Sequence, residues 1–481
     1  MAGVFIFRRD LRIDDNIGLQ KLLQKTKTII PVFVFTPEQL QDSNPYKSDN
    51  SIAFMIESLQ SLESQIKAAG GKTHPINYFY DTNINAVKTL LDGRGTDVRN
   101  SGKNEVKYLA YNLDWTPYAK TRDAEIEELC KKEGVEVITG EDYTLHPMGT
   151  LLKKDKTVFK VFGPFRKNAE TLESKINNPV ALAKFLVGQG KITWINNRGV
   201  SLKKINVERF YHDTPDRGVH GGRNKALKIL EGLKETQSRY SSQRDSLSYN
   251  TTHLSSYIKF GNVSIREVFY SYCKKLSRSN GLFSQLYWKE FYVYIAHYVP
   301  SVLQGKSMRP QYDKIKWNTD NGDIFEKWCK GMTGFPIVDA GMRELNNTGY
   351  MHNRSRLITS GFLVKLAIID WREGEKYFAK KLTDYDPAQN NGGWQWSSGS
   401  GADSQPYFRI LSPISQAKKN DPDAKYIKKW CPELADIPSN HLHDWESHYT
   451  KYKGIDYPSP CLDYRTSRKK VMDLYKNALK D

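Results

Sequence analysis

IIPVFVF, at positions 29–35, is apolar at every residue. A run of that length with no polar alternation is expected of a strand covered on both faces, which is the condition of a parallel sheet flanked by helices. The neighbouring segments repeat the theme. VFIF (4–7) is a short buried strand, and VKYLAYN (106–112) and VEVIT (135–139) are two more. Between them SIAFMIESLQSLESQIKAAGG (51–71) carries apolar residues at helical spacing and stops at Gly70–Gly71, and a charged helix spans 117–133. Strands alternating with helices predict a doubly wound parallel α/β domain over 1–140, and such sheets take ligands at the carboxyl ends of their strands. Neither GxGxxG nor GxxxxGK[ST] occurs, so a dinucleotide fingerprint and a P-loop are excluded.

Past residue 140 the pattern weakens. Residues 145–210 hold PMGT, GPF, GQG and NNRG, and read as a surface connection with little regular structure, giving an interdomain linker over 141–215. From about 220 the period becomes helical. KALKILEGLKE (225–235), VSIREVFYSYCKKL (263–276), FSQLYWKEFYVYIAHYV (283–299) and RSRLITSGFLVKLAIIDWREGEKYFAKKL (354–382) all carry it, so 216–481 is expected to be an almost wholly helical domain.

The chain has 481 residues, and Lys plus Arg exceed Asp plus Glu by 72 − 54 = 18. That excess points either to a polyanion partner, nucleic acid first, or to a basic surface kept for solubility. The five cysteines are scattered and form no CxxC, which suits a reduced intracellular compartment rather than a disulfide framework or zinc ribbon. No apolar run reaches the length of a membrane span and no signal peptide is recognisable. GxSxG is absent, which disfavours an α/β-hydrolase. HLHDWESH (441–448) has metal-ligating residue types but no closed ligand set, so no metal is assigned.

Three segments call for a ligand. DYDPAQNNGGWQWSSGSGADSQPYFRIL (384–411) is rich in Gly, Asn, Ser and Asp yet holds WQW, and reads as an irregular loop whose backbone needs partners. A polar, aromatic ligand would supply partners and stacking surface, which places the segment in a cofactor or substrate cavity. In YSSQRDSLSYNTTHLSSYIKFGNVS (240–264), Thr251, Thr252 and Ser255 gather at a helix start, which is either a phosphate site or ordinary capping. In GYMHNRSRL (349–357), Arg354 and Arg356 either meet phosphates or pair with Asp384 or Asp386. Eight of the ten tryptophans lie between 288 and 445, where core packing is the ordinary explanation for any one of them.

These segments, with FRRDLRIDDN (7–16), LYWKEFY (286–292), TGFPIVDAGMRELNNTGYMHNRSRL (333–357) and DWREGEKYF (370–378), resemble in order and along nearly the whole chain the photolyase/cryptochrome family. Within that family the chain is most similar to class I cyclobutane pyrimidine dimer photolyases. The resemblance implies FAD held by the helical domain. Tyr240, Thr251, Thr252 and Ser255 would hold its phosphates and neighbouring atoms. Arg356 would pair with Asp384 beside the flavin, Asp386 would contact the flavin ring or ribityl region, and Asn390 would face N5. Trp394, Trp371 and Trp317 match an electron-hopping chain from flavin to surface. Trp288 and Trp396 would line the lesion cavity, Gln285 and Asn353 would face the lesion, and Arg244, Arg354 and Arg409 would contact lesion or phosphates.

The implied activity is light-driven repair of cyclobutane pyrimidine dimers in damaged DNA by electron transfer from reduced FAD to the flipped-out dimer. Base flipping is a property the family shares with other enzymes that work on a nucleobase. The implied alternatives are a blue-light photoreceptor without repair and an atypical or (6-4) photolyase. Asn353 and Leu357 stand where (6-4) enzymes have His, which argues against that activity, and plant-type cryptochromes tend to have Asp where Asn353 and Asn390 stand. Dimer photolyases typically have Glu at the position of Gln285, so this chain departs there. A second antenna chromophore, of folate or deazaflavin type, is expected near the N-terminal domain, where NLDWTPYAKTRD (112–123) departs from the folate binders' pattern. A monomer is the family expectation.

Overall fold

The computed structural model describes residues 1–92, 106–196, 198–214, 216–319 and 322–479. The sheet has β1 (Ala2–Phe7), β2 (Thr28–Phe35), β3 (Asn77–Tyr80), β4 (Val106–Asn112) and β5 (Glu136–Gly140) in the order β3-β2-β1-β4-β5, every pair parallel. All six residues of β1 are buried, as the continuous apolar runs require. Helices α1 (Ile17–Lys25), α2 (Asp49–Ala68), α3 (Asn83–Leu91) and α4 (Pro117–Lys132) make the crossovers. β3 and α3 are elements that the apolar-run criterion missed, because NYFY is only four residues and half-covered.

Residues 145–210 are more ordered than expected. A helix, α5 (Phe162–Glu170), lies there, and β6 (Thr193–Trp194) joins the sheet by pairing with β2 at Thr28 and Ile29. β3 pairs with β2 from Val32 onward, so Pro31, which has no N–H to give, falls in the gap between β6 and β3. Asn77 closes that gap by donating its amide to the carbonyls of Pro31 (3.0 Å) and Ile195 (2.9 Å). The boundary at 215/216 falls on Pro215, outside the described residues.

From residue 216 on, the described residues form no strand, in agreement with the helical period. The helices that matter below are α6 (Leu254–Lys259), α7 (Leu282–Tyr298), α8 (Asn353–Lys365), α9 (Trp371–Lys381), α10 (Pro387–Ser398) and α11 (Tyr464–Ala478). The expectation of an irregular loop over 384–411 is overturned, since α10 occupies its first half. Asp386 caps the helix by accepting from the Gln389 N–H, Pro387 takes the first turn, and Gly399 at φ +89° ends it. Of its two internal glycines, which suggested a loop, Gly392 serves close packing instead. A methyl on Gly392 would collide with Tyr292 of α7.

The opening motif joins the halves. Arg12 donates to Asp142 (2.6 Å), Asp142 accepts from Arg266 (2.6 Å), and Arg266 pairs with Asp15 (3.0 Å); each of the four side chains is at most 5 % exposed. Asp10 fixes the turn after β1 by accepting from the Arg8 N–H (2.7 Å). The chain order 3-2-1-4-5 puts the switch point between β1 and β4. There Arg8, Arg9, Asp10, Asn112, Asp114 and Tyr143 line a narrow pocket at the carboxyl ends of the strands.

Candidate functional site

Three helices lie against one another and present half-buried stripes. On α7, Gln285, Trp288 and Tyr292 recur at helical spacing and are partly exposed, while Leu286, Tyr287, Glu290 and Phe291 are buried. On α10, Asn390, Gly393, Trp396 and Ser397 form the partly exposed stripe, against Asn391, Trp394, Gln395 and Ser398 inside. On α8, Asn353 is exposed and Arg354, Arg356 and Leu357 are partly so. Tyr292 against Gly392 joins α7 to α10, and a hydroxyl pair, Ser360 with Ser397 at 2.7 Å, joins α8 to α10. At the middle of α10, a Cβ added to Gly393 would meet nothing within 4 Å. A helix interior ordinarily disfavours glycine. Here the absent side chain keeps a groove open.

One end of the groove is built from charges. Arg356 donates through Nη2 to both oxygens of Asp384 (2.9 and 3.1 Å). Burial pushes the Asp384 pKa up, but Arg356 and a hydrogen bond from Ser255 outweigh it and hold the carboxylate below its ordinary range. His253 stacks on Tyr350 at 4.0 Å, and Thr251 shares a hydrogen bond with the Tyr350 hydroxyl (2.9 Å), so 251–255 is pinned beside α8. Thr252, one residue before the N-cap His253, accepts from the Leu254 N–H at 3.3 Å. Tyr240 is buried, and its ring and Arg244 both lie against Gly281, at the start of α7. The structure thus brings Ser255, Arg356 and Asp384 together, with Thr251 and Thr252 in the adjoining turn, and sets Tyr240 at the start of α7.

Other candidate residues are placed differently. The buried Asp386 reaches the N-terminal domain, where it pairs with Arg9 and accepts from the Tyr143 hydroxyl at 2.5 Å. Burial raises its pKa, yet Arg9 and Tyr143 prevail and hold it at about 2. Arg354 is committed to Asp245 at 2.5 Å. Arg409 is exposed and touches Gln405 (2.8 Å), and Arg244 is exposed.

Asn390 has a partner that sequence reasoning missed. Its Nδ2 donates to Glu375 twice, to the carbonyl oxygen (2.9 Å) and to Oε1 (2.8 Å). That leaves Oδ1 of Asn390 to face the groove as an acceptor. Glu375 is 6 % exposed, and burial raises its pKa to about 7, against the lowering by Asn390 and Tyr46. Because the folded chain keeps this proton while the unfolded chain releases it near the ordinary value of 4.5, stability falls as pH rises between about 4.5 and 7. Glu375→Gln, which retains the acceptor without the charge, is expected to match the parent in unfolding free energy at pH 5 and exceed it at pH 8, by up to about 3 kcal/mol. Equal pH slopes for the two proteins would refute that.

The tryptophans of the expected hopping chain differ in burial. Trp394 is 2 % exposed and lies on Gly374 of α9, where any side chain would strike its ring. Trp371, also 2 % exposed, opens α9 behind its cap Asp370. Trp317 is half-buried and lines a surface groove with Asp370 and Glu373. Among the described residues no cluster of His, Cys, Asp and Glu is arranged to hold a metal. His441 and His448 stack at 4.1 Å, and His443 turns inward to the Asp421 carbonyl (2.9 Å).

Two family profiles match. One, described as DNA photolyase, covers residues 3–181, and the other, the FAD binding domain of DNA photolyase, covers 282–477. A deoxyribodipyrimidine photo-lyase of Buchnera aphidicola is 33% identical over 98% of this chain and 96% of its own length. The chain belongs to the DNA photolyase family. The deoxyribodipyrimidine photo-lyase of Escherichia coli K12 is 30% identical over 98% of both chains. Among solved structures, an archaeal photolyase from Sulfolobus tokodaii, containing two FAD molecules, aligns with a TM-score of 0.84 at 34% identity over 99% of this chain and 100% of that one. A class III photolyase from Agrobacterium tumefaciens aligns with a TM-score of 0.87 at 26% identity over 100% of this chain and 98% of that one. Membership assigns the helical half as an FAD-binding domain. The groove suits it: it has an open floor at Gly393, a charged end at Arg356–Asp384 with hydroxyls beside it, and an acceptor at Asn390. Photolyases act on damaged DNA, and no described helix is long and apolar enough to cross a membrane.

Proposed function

We propose that this chain is a deoxyribodipyrimidine photo-lyase that repairs cyclobutane pyrimidine dimers, acting as a monomer in a reducing compartment that holds DNA. The observation that carries this reading is the pairing of two stripes on helices in contact. Asn390 and Gly393 on α10 offer a floor for a flavin, and Gln285, Trp288 and Trp396 offer indole faces and an amide beside it for a flipped-out pyrimidine dimer. Bound in reduced form, FAD supplies a light-excitable one-electron donor. The chain's residues do the rest. Arg356 and Asp384 orient through a bidentate pair, and Ser255, Thr251 and Thr252 supply hydroxyls where phosphates would lie. Oδ1 of Asn390, its amide nitrogen already committed to Glu375, accepts an N–H. Arg244, Asn353 and Arg409 are exposed and free to approach a phosphate backbone, whereas Arg354 would have to exchange Asp245 for a phosphate. The net charge of +18 adds attraction that falls steeply with salt.

The test is repair of a defined thymine-dimer oligonucleotide by the reduced protein, under blue light and in the dark. Light-dependent loss of the dimer is the expected result, and persistence of the dimer with a bound, photoreducible flavin would overturn it. Gln285 favours a second reading, a photoreceptor without repair, because an amide there cannot carry the charge of a carboxylate. Gln285→Glu is expected to tighten dimer binding by about 1–3 kcal/mol if the position meets the lesion. Trp371→Phe is expected to abolish most light-driven reduction of the oxidised flavin, read by absorbance, while chemically reduced protein still repairs. Undiminished photoreduction would place Trp371 outside an electron relay through Trp394 and Trp317.

For a second, light-gathering pigment of folate or deazaflavin type we infer a place near the carboxyl ends of β1 and β4, where the structure holds only a narrow opening. Asn112, Leu113 and Asp114, from the segment expected to make such contacts, line it with Arg8, Arg9 and Tyr143.

A further inference from the structure

Trp288 does not stand alone in its stripe. Phe162, the first residue of α5 and part of the connection between the two halves, lies face to face with it, ring centroids 3.7 Å apart and planes within 9°. Nothing in the helical domain supplies that stack; it comes from a segment more than a hundred residues away. An indole covered this closely on one face has only its other face to offer a base. Tyr292 and Phe291 flank it at 5.6 Å, one stacked and one edge-on, which leaves the Phe162 contact as the one that sets the plane.

Phe162 is itself held by backbone bonds that cross the site. Its N–H donates to Asp403 Oδ1 (3.2 Å), and the Asp403 N–H donates to the carbonyl of Lys160 (2.9 Å). Asp403 adopts φ +52°, a left-handed conformation uncommon for a residue with a side chain, so the reciprocal pair holds a strained turn in place. Asp403 lies on the loop that follows α10, five residues after its last residue, and that loop continues to the exposed Phe408 and Arg409. The segment 160–162 therefore fastens α7, through Trp288, to the far end of α10, which carries Trp396.

We propose that Phe162 is a positioning residue for lesion recognition: clamped by Asp403, it fixes the plane of Trp288 so that the indole's free face is presented ready-made to a flipped-out pyrimidine pair. A ring already fixed has no rotamer freedom to lose on binding, which is where preorganisation improves affinity. The inference rests on the proposal that Trp288 lines the lesion site, and the test separates the two. Dark binding of a thymine-dimer oligonucleotide and of its undamaged twin is measured by anisotropy for FAD-loaded parent, Phe162→Leu, Phe162→Tyr, Trp288→Ala and the Phe162→Leu/Trp288→Ala double variant.

Phe162→Leu, which keeps apolar volume but not the plane, is expected to weaken dimer binding about five- to tenfold, in line with 0.5–1.5 kcal/mol for an aromatic pair. Undamaged binding and flavin content should stay unchanged, and Phe162→Tyr should restore the parent value. In the Trp288→Ala background, Phe162→Leu should have no further effect. Equal losses in both backgrounds, or no loss in either, would overturn the proposal. If the parent itself does not prefer the dimer, the lesion reading of Trp288 fails instead. The local claim is then read from 5-fluorotryptophan-labelled protein, with the Trp288 resonance assigned by Trp288→Phe. That signal should shift and broaden in Phe162→Leu and stay sharp in Phe162→Tyr, and an unchanged signal in Phe162→Leu would refute the clamp.

Discussion

Gly393→Leu is expected to yield a folded, colourless protein. Nothing within 4 Å opposes a Cβ at this position, so the first side-chain carbon adds no internal clash, and replacing glycine in a helix interior gains about 1 kcal/mol from propensity. Apo-protein stability should therefore equal or exceed that of the parent. The isobutyl group would instead occupy the groove, and overpacking a fitted site costs about 1–3 kcal/mol, or roughly tenfold and more in affinity. Flavin absorbance per polypeptide after purification, and titration of the apo-protein with FAD, measure it. Gly393→Ala should be intermediate in flavin binding and the most stable of the three. Full flavin content in Gly393→Leu would mean that the cofactor does not lie over the middle of α10. Gly392→Ala provides the contrast: its Cβ would strike Tyr292, so it should lose stability as well as flavin.

Asp386→Ala should be the most damaging single change at the joint between the halves. It removes the cap of α10 and leaves Arg9 without the carboxylate it pairs with, although Asp114 remains at 3.2 Å. Stripping a buried pair of one partner costs about 3–5 kcal/mol, and a lost cap about 1. Arg9 is 23 % exposed and keeps Asp114, so about 3 kcal/mol is the expectation, measured by urea unfolding at pH 7. The pH dependence checks the cause. The folded-state pKa of Asp386 lies at about 2, below the ordinary 3.8, so its stabilisation is complete above about pH 4 and is lost as pH falls toward 2. Asp386→Asn, which keeps a capping oxygen, should lose the ion pair at neutral pH and approach the parent at low pH. Parallel acid-unfolding curves for the two would show that the charge contributes nothing.

The fold was legible where burial is uniform. β1 and β2 announce themselves because both faces are covered, and α2 because its apolar positions keep one period over twenty residues. α10 was misread because its composition is set by two neighbours rather than by its own stability. Gly392 makes room for Tyr292 and Gly393 leaves room for a ligand, so the residues that mark a loop in isolation mark close contact here. The pairing of Arg356 with Asp384 followed from the resemblance, and the structure bears it out. Glu375 sat unremarked inside a segment that had been singled out. Its importance depends on α9 and α10 lying side by side, which no spacing within DWREGEKYF reveals. Phe162 was hidden more deeply, in a stretch whose weak periodicity suggested a bare connection. Asp386 carries partners that no local spacing reveals, because Arg9 and Tyr143 approach from a part of the chain some 240 or more residues away.

The Arg9–Asp386–Tyr143 joint has an optical consequence. Arg9 and Tyr143 line the pocket at the strand ends, and Asp386 caps the helix whose next turn carries Asn390. Two pigments seated at these places would share a single rigid mount, with no hinge between them. The angle between their transition dipoles would be set by the protein and averaged by little motion. Excitation passing from one to the other would then keep a constant efficiency across temperatures at which surface loops loosen, and a variant that breaks the joint would depolarise the transferred light before it lost either pigment.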